Sequence, residues 1–329
     1  MRILLGREGV NPNKPDSNLR MPLLLAAQKQ HEEVVRILLR QQGVNPNKPQ
    51  YSCRTPLSHA AESGYEGIVK ILLGREDVDP DMPSNSGRTP LSYAAGKGCE
   101  GVVKMLLARE GVNPNSQDND GLTPPSYAAS RGRGEVVNIL LQREEVDPDR
   151  PCDSGVTPLM FAWWNAEVVK ILLEREEVNA GRTNSRGVTL LSLAAGNGNE
   201  RVVKMLLARA EVDPNKPDSE GRTPLTCAAW RGRVGVVKLL LNRQEVDPNK
   251  PNKDGRTPLS RAASCGYEEV VKTLLKLDVN PDQPDNEGKT PLWHATQNRY
   301  ERVAKILLGG KKSNPTSRKR RRLNADHVP

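Results

Sequence analysis

Aromatic side chains are scarce in this 329-residue chain: they make up 3% of it, with a single Phe, and the hydrophobic fraction is 36%. One large globular core is hard to build from that composition. The length therefore argues for two ordinary domains or one long repetitive one. No apolar run approaches the roughly 18 residues a membrane helix needs. The opening Met1-Arg2-Ile3-Leu4-Leu5-Gly6-Arg7-Glu8 returns to charge after three apolar positions, unlike a secretory leader. Cysteines are few and scattered. Cys53, Cys99, Cys152, Cys227 and Cys265 are odd in number and form no C-x-x-C pair. Neither a disulfide framework nor a structural zinc site is expected, and reduced thiols in an intracellular compartment, cytoplasmic or nuclear, fit better.

Catalytic patterns are also missing. The four histidines are His31, His59, His294 and His327. His31-Glu32-Glu33-Val34-Val35 has no second His at the spacing a zinc-protease helix requires. There is no G-x-x-x-x-G-K-[ST] phosphate loop, and no Ser has a placed base beside it. The chain reads as non-enzymatic, with no catalytic residue, cofactor, metal or small-molecule substrate expected.

The net charge of +9 is uneven, because residues 311–329 carry +6 of it. Within that tail Arg318, Lys319, Arg320, Arg321 and Arg322 read as a nuclear-localisation or polyanion-binding segment. A solubilising tail is the alternative. The body is nearly neutral and offers neither a basic stripe nor a stacking platform. Nucleic acid is thus expected on the tail, if anywhere, and not on the body.

What the chain has in quantity is Gly, Pro and a repeat. Gly numbers 27 and Pro 26. Arg-Thr-Pro-Leu recurs at 54–57, 88–91, 222–225 and 256–259, with variants at 20–23, 122–125, 156–159, 188–191 and 289–292. The Thr position falls at 21, 55, 89, 123, 157, 189, 223, 257 and 290, a spacing of 32 to 34 residues. Such a period is the signature of a repeat architecture.

The unit at Thr89 shows the local logic. The Thr89 hydroxyl can cap a helix, and Pro90 suits a first turn, where its missing N–H has no partner to lose. Leu91, Ala94 and Ala95 make a small apolar face, and Gly96 and Gly98 are expected to break the helix. A second helix, 100–109, carries Val102, Val103, Met105, Leu106 and Leu107 as a wide stripe with Lys104 left for solvent. A loop and a tight turn lead to the next Thr. That turn holds Gly at 87, 121, 155, 187, 221, 255 and 288, but Leu19 and Cys53 in the first two units, whose fingers are expected to be less regular.

Thr-Pro-Leu-x-x-Ala-Ala, a Gly-bounded turn, Val-Val-x-x-Leu-Leu and a Gly-containing finger at this beat resemble ankyrin repeats. The likeness covers residues 1 to about 310. Two departures stand out: Ser at 58, 92, 126, 192 and 260, where the family usually has His, and a Pro-rich linker such as Asn45-Pro46-Asn47-Lys48-Pro49. Both are similar to fungal ankyrin arrays often attached to NACHT-type NTPases. The resemblance implies an all-α solenoid of nine helix–turn–helix units with β-turn fingers. Residues 1–15 read as a partial repeat, 16–310 as the repeat domain and 311–329 as a disordered basic tail. The units lie near 16–49, 50–83, 84–117, 118–151, 152–183, 184–217, 218–251, 252–284 and 285–310. Because residues 1–5 align with the second half of a second helix, the chain is expected to be a fragment or to lack upstream sequence.

The resemblance also implies an unidentified protein partner, with no membrane involved, met by finger tips and first helices on a concave face. Nine units at the roughly 10 Å of helix packing would make a face about 90 Å long. The residue before each Thr is Arg20, Arg54, Arg88, Leu122, Val156, Val188, Arg222, Arg256 and Lys289. This basic–apolar–basic ladder suits a partner with acidic ends and an apolar middle, unless the arginines are simply solvated. Arg88, Leu122, Val156, Val188, Arg222 and Arg256 are taken as contacts. Unit five is two residues short at its inter-helix turn and holds Phe161, Trp163 and Trp164, which either anchor a partner or fill the space left by the deletion. Trp230, with Arg231 beside it, stands where other units have Glu62, Gly96, Ser130, Gly196 and Ser264. They read as a hot spot, or Trp230 as cover for its neighbour.

Overall fold

A computed structural model of the protein describes residues 11–17, 20–49 and 53–310. The half-unit at 1–5, Leu19 and the basic segment at 318–322 lie outside the described residues. The described helices are α1 Pro22–Gln28, α2 Glu32–Leu39, α3 Pro56–Ser63, α4 Glu66–Leu73, α5 Pro90–Lys97, α6 Glu100–Leu107, α7 Pro124–Ser130, α8 Gly134–Leu141, α9 Pro158–Phe161 and α10 Ala166–Leu173. They continue with α11 Leu190–Asn197, α12 Glu200–Leu207, α13 Pro224–Trp230, α14 Val234–Leu241, α15 Pro258–Ser264, α16 Glu268–Leu274, α17 Pro291–Gln297 and α18 Glu301–Gly310. Among the described residues there is no strand, only an isolated bridge between Thr183 and Thr189. The chain forms two compact units, Met1–Asn179 and Ala180–Pro329. Each is an all-α stack of two-helix layers.

The repeat sequence writes each layer. The Thr at the start of the first helix accepts a hydrogen bond from the N–H three residues on, as Thr89 does from Ser92. Such a cap contributes about 1 kcal/mol. Met21 leaves the α1 cap without a side-chain bond. The Ser that replaces the family's His is buried, and at 58, 92, 126 and 192 its hydroxyl meets the cap Thr: Thr55 Oγ1 to Ser58 Oγ is 3.1 Å and Thr123 Oγ1 to Ser126 Oγ is 3.1 Å. These serines belong to the scaffold. Beneath them Leu91, Ala94 and Ala95 are buried against Val102, Val103 and Leu106, with Lys104 exposed. Gly96 corrects the sequence reading. It does not break α5 but lies inside it and is buried; Gly98, at φ +84°, ends the helix.

That left-handed residue has a second duty. Where glycine holds this position, a residue just before the next layer's second helix lies on it. A Cβ at Gly98 would sit 2.8 Å from Arg133, one at Gly132 would sit 2.5 Å from Trp164, and one at Gly266 would sit 2.5 Å from Tyr300. Glycine thus supplies both the positive φ and the close approach.

Neighbouring layers are also joined by hydrogen bonds. Finger meets finger through backbone bonds such as Asn119 N–H to the Ser86 carbonyl at 3.0 Å and Lys253 N–H to Glu220 at 3.0 Å. The Asn-Pro-Asn linker adds a two-pronged clamp. The Asn47 amide donates to the Asp77 carbonyl at 2.6 Å and its oxygen accepts from Asp79 N–H at 2.9 Å. Asn115 repeats this on Glu145 and Asp147, and Asn215 on Glu245 and Asp247. Where the linker has Asp81 only the accepting prong survives, from Asn113 N–H at 2.7 Å, and burial pushes the Asp81 carboxyl above its ordinary range.

Among the described residues, three side chains with a Cβ hold positive φ where other layers use glycine: Cys53 at +50° in the second finger, and Gln30 at +59° and Arg299 at +61° after the first helix. For an L-residue this costs about 1–2 kcal/mol, offset in part by the greater entropy a glycine loses on folding. Cys53→Gly and Arg299→Gly should each raise the unfolding free energy by about 1 kcal/mol. A shift of the urea midpoint to lower concentration would show that the side chain is worth more than the strain.

Candidate partner-binding surface

Each finger is a small hairpin that sets two positions face to face. The backbone N–H five residues before the cap Thr bonds to the carbonyl of the residue just before it, as Asp218 does to Arg222 at 3.1 Å and Ser84 to Arg88 at 3.0 Å. When the earlier residue is Asp or Asn, one side-chain oxygen accepts from the turn backbone. Asp218 Oδ1 takes the N–H of Arg222 and of Glu220, each at 2.9 Å. In Asp the other oxygen meets a side chain of the finger or first helix, as Asp218 Oδ2 meets Arg222. The residue four after the Thr, one turn into the first helix, completes the group.

In the first unit this geometry builds a stacked column. The Arg54 guanidinium lies over the Tyr93 ring at 4.2 Å, Arg88 lies over the same ring at 4.1 Å, and Arg88 also lies over Tyr127 at 4.1 Å. Each contact is worth about 0.5–2 kcal/mol. Arg54 pairs with Glu62, which also meets Lys97 at 3.7 Å. Burial alone would raise the Glu62 carboxyl, but Arg54, Lys97 and Arg88 outweigh it and hold it below the usual range. Tyr127 donates to Asp118, and burial first, then that bond, pushes its phenol well above the ordinary value. Arg88 is therefore neither simply solvated nor loose. Leu122 and Val156, also before their Thr, are half-buried.

In the second unit Val188 is half-buried and the basic residues are ion-paired. Arg222 meets Asp218 at 2.7 Å and Arg256 meets Asp285 at 3.2 Å; both carboxylates are buried. Asp285 also accepts from His294 at 2.8 Å. Burial would raise its pKa, but the N–H of Lys289, His294, the N–H of Glu287 and Arg256 together bring it down to about 2. Trp230, 39% exposed, ends α13, and the Arg261 guanidinium of the next layer stands 5.6 Å over its ring. Trp230 thus both covers its neighbour and keeps an open face. Arg231 is exposed beside it.

The short fifth layer explains its aromatics. The deletion leaves α9 only four residues long and removes the left-handed turn; the Asn165 side chain then caps α10 through the N–H of Glu167 and Val168. Trp164 packs on Gly132 of the layer before and is 44% exposed. It takes the seat on a left-handed glycine that Tyr267 and Tyr300 take in their layers, and presents a ring as well. Sequence reasoning missed Tyr93 and Tyr127, whose recurrence four residues after Thr was their signal. It also missed Trp293, 40% exposed under Lys289 at 4.6 Å, which stands where other layers bury Ser.

The family model for ankyrin repeats (3 copies) matches residues 1–82, 46–118, 91–184, 165–252 and 243–319. A comparison with curated proteins gives no significant match.

The same face carries a pH dependence. His59 stands four residues after Thr55, with Nε2 3.4 Å from the Gln28 amide nitrogen. Burial, then Arg54, lowers its pKa from 6.5 to about 4 against a smaller opposing effect of Glu62. The unfolded chain therefore takes up the proton first as pH falls. Stability is full above the ordinary value and declines as pH drops from about 6.5 towards about 4. NMR titration should place the His59 midpoint near 4, and His59→Gln should flatten that limb of the stability profile. A midpoint at the ordinary value would contradict the burial argument.

Proposed function

The chain belongs to the ankyrin-repeat family, and on that premise we propose that it is a non-catalytic recognition module whose fingers and first helices hold a protein partner. Ankyrin repeats generally mediate protein–protein interaction. The observation that carries the reading is the preorganisation of this face. Arg88 is held between two rings, and Arg222 and Arg256 are fixed by buried carboxylates. Side chains already held in one rotamer lose little entropy on binding. Leu122 and Val156 in the first unit and Val188 in the second are half-buried and supply apolar contact within their own units. Trp230 with Arg231 supplies the anchor type that most often dominates a protein interface.

No helix among the described residues is long and apolar enough to cross a membrane. A cytoplasmic or nuclear site of action belongs to the proposal. The likeness to arrays attached to NACHT-type NTPases has no support in the comparisons, and the reading does not depend on it. Nuclear entry through Arg318–Arg322 would be read directly from a reporter fused to residues 309–329.

Affinity capture with mass spectrometry, wild type against a Trp230→Ala/Arg231→Ala variant, tests the reading. Trp230→Ala should weaken partner binding at least tenfold while lowering stability by no more than about 1 kcal/mol, the value of the exposed cation–π contact with Arg261. Unchanged binding with a large loss of stability would make Trp230 a packing residue only.

A further inference from the structure

The ion pairs of the recognition face follow a rule with one exception. Among the described residues, the basic side chain before the cap Thr finds a carboxylate in five layers: Arg20 with Asp16, Arg54 with Glu62, Arg222 with Asp218, Arg256 with Asp285 and Lys289 with Glu287. Arg88 does not. Its own finger position, which holds Asp16 for Arg20 and Asp218 for Arg222, holds Ser84, whose hydroxyl is engaged by Tyr93 at 3.1 Å and Ser86 at 3.0 Å, and the next layer's finger acid, which serves Arg256 as Asp285, is here Asp118, engaged by Tyr127. Glu62 influences Arg88 through space but is paired with Arg54 and Lys97. The Arg88 Nε is buried and makes no hydrogen bond. A guanidinium carries five donors and always its charge, so a half-buried one without an acceptor is an incomplete arrangement.

The surroundings indicate what completes it. Tyr93 and Tyr127 clamp the guanidinium plane from both sides, each 4.1 Å away, so its orientation is fixed. Below it lies Gly96, where a Cβ would be 3.7 Å from Arg88 Nη2 and 3.7 Å from Arg131 Nε. Arg131 is exposed and, among the described residues, has no carboxylate within ion-pairing distance. Two guanidinium groups thus approach one spot over the buried Gly96. Lys97 adds charge at the rim.

We propose that this spot is a receptor for a carboxylate side chain, Asp or Glu, of the protein partner. The proposal rests on the protein-binding reading above and names the chemistry of one contact in it. A carboxylate is the group that answers the equivalent basic residue in every other described layer where one occurs. It matches a planar guanidinium bidentately. The Tyr clamp fixes the fork before binding, which a lysine could not provide.

The direct test follows the side-chain Nε–Hε resonances of Arg88 and Arg131 during titration with oligo-glutamate, oligo-glutamine and inorganic phosphate. Oligo-glutamate should move both resonances together and saturably, and oligo-glutamine should move neither. Ser84→Asp supplies the missing carboxylate from within and should weaken the oligo-glutamate response at least tenfold. Circular dichroism would confirm that the variant keeps its helices. Arg131→Gln, a surface change, should weaken the response as well. The proposal is overturned if Arg88 stays silent, if Ser84→Asp responds as the wild type does, or if phosphate moves Arg88 while oligo-glutamate does not. A partner captured equally by wild type and Ser84→Asp would remove this contact and leave the protein-binding reading intact. Failure to capture any partner would instead fall on that reading.

Discussion

Within each unit the structure depends on contact between one layer and the next. A single layer has two short helices, many of them seven or eight residues, too short to be stable alone in water. Three devices join it to its neighbour: finger-to-finger backbone bonds, the linker Asn reaching thirty residues ahead, and the seating of a side chain on a left-handed glycine. Burial of the Val-Val-x-x-Leu stripe supplies most of the driving force. Hydrogen bonds of fixed geometry decide the register.

Register matters because the side chains proposed to meet a partner are held across layers. Arg88 is gripped by Tyr93 of its own layer and Tyr127 of the next, and Arg256 is held by Asp285 of the following one. A slip between layers would dissolve these groups before it unfolded a helix. The same dependence explains why replacing one acid with Ser84 changes a neighbourhood and leaves the fold as it is. Its turn still closes through the Ser84 N–H to the Arg88 carbonyl and the Gly87 N–H to the Ser84 carbonyl.

The period, the Thr-Pro caps, the buried Ala-Ala and Val-Val pairs and the finger glycines are legible in the residues, because each is a local demand of the backbone. Gly96 was misleading because a glycine in a short helix looks like a stop, whereas here it packs inside the helix beside two arginines. The clamp role of Asn47, Asn115 and Asn215 was hidden, since their partners are backbone groups that any sequence supplies. The ion pairs of Arg222 and Arg256 were hidden for a different reason. Their acids, Asp218 and Asp285, lie across a finger or in the next layer, and adjacency in the chain does not reveal that. Trp164 needed the geometry of the shortened turn to be understood.

Hydrogen exchange at one amide tests the register most directly. In the wild type the Asp147 N–H is held by the Asn115 oxygen at 2.9 Å. In Asn115→Ala that amide should lose protection together with its layer's finger, and stability should fall by about 1–2 kcal/mol for the two bonds removed. Unaltered protection of Asp147 with unaltered stability would contradict the view that these cross-layer bonds set the spacing of the binding face.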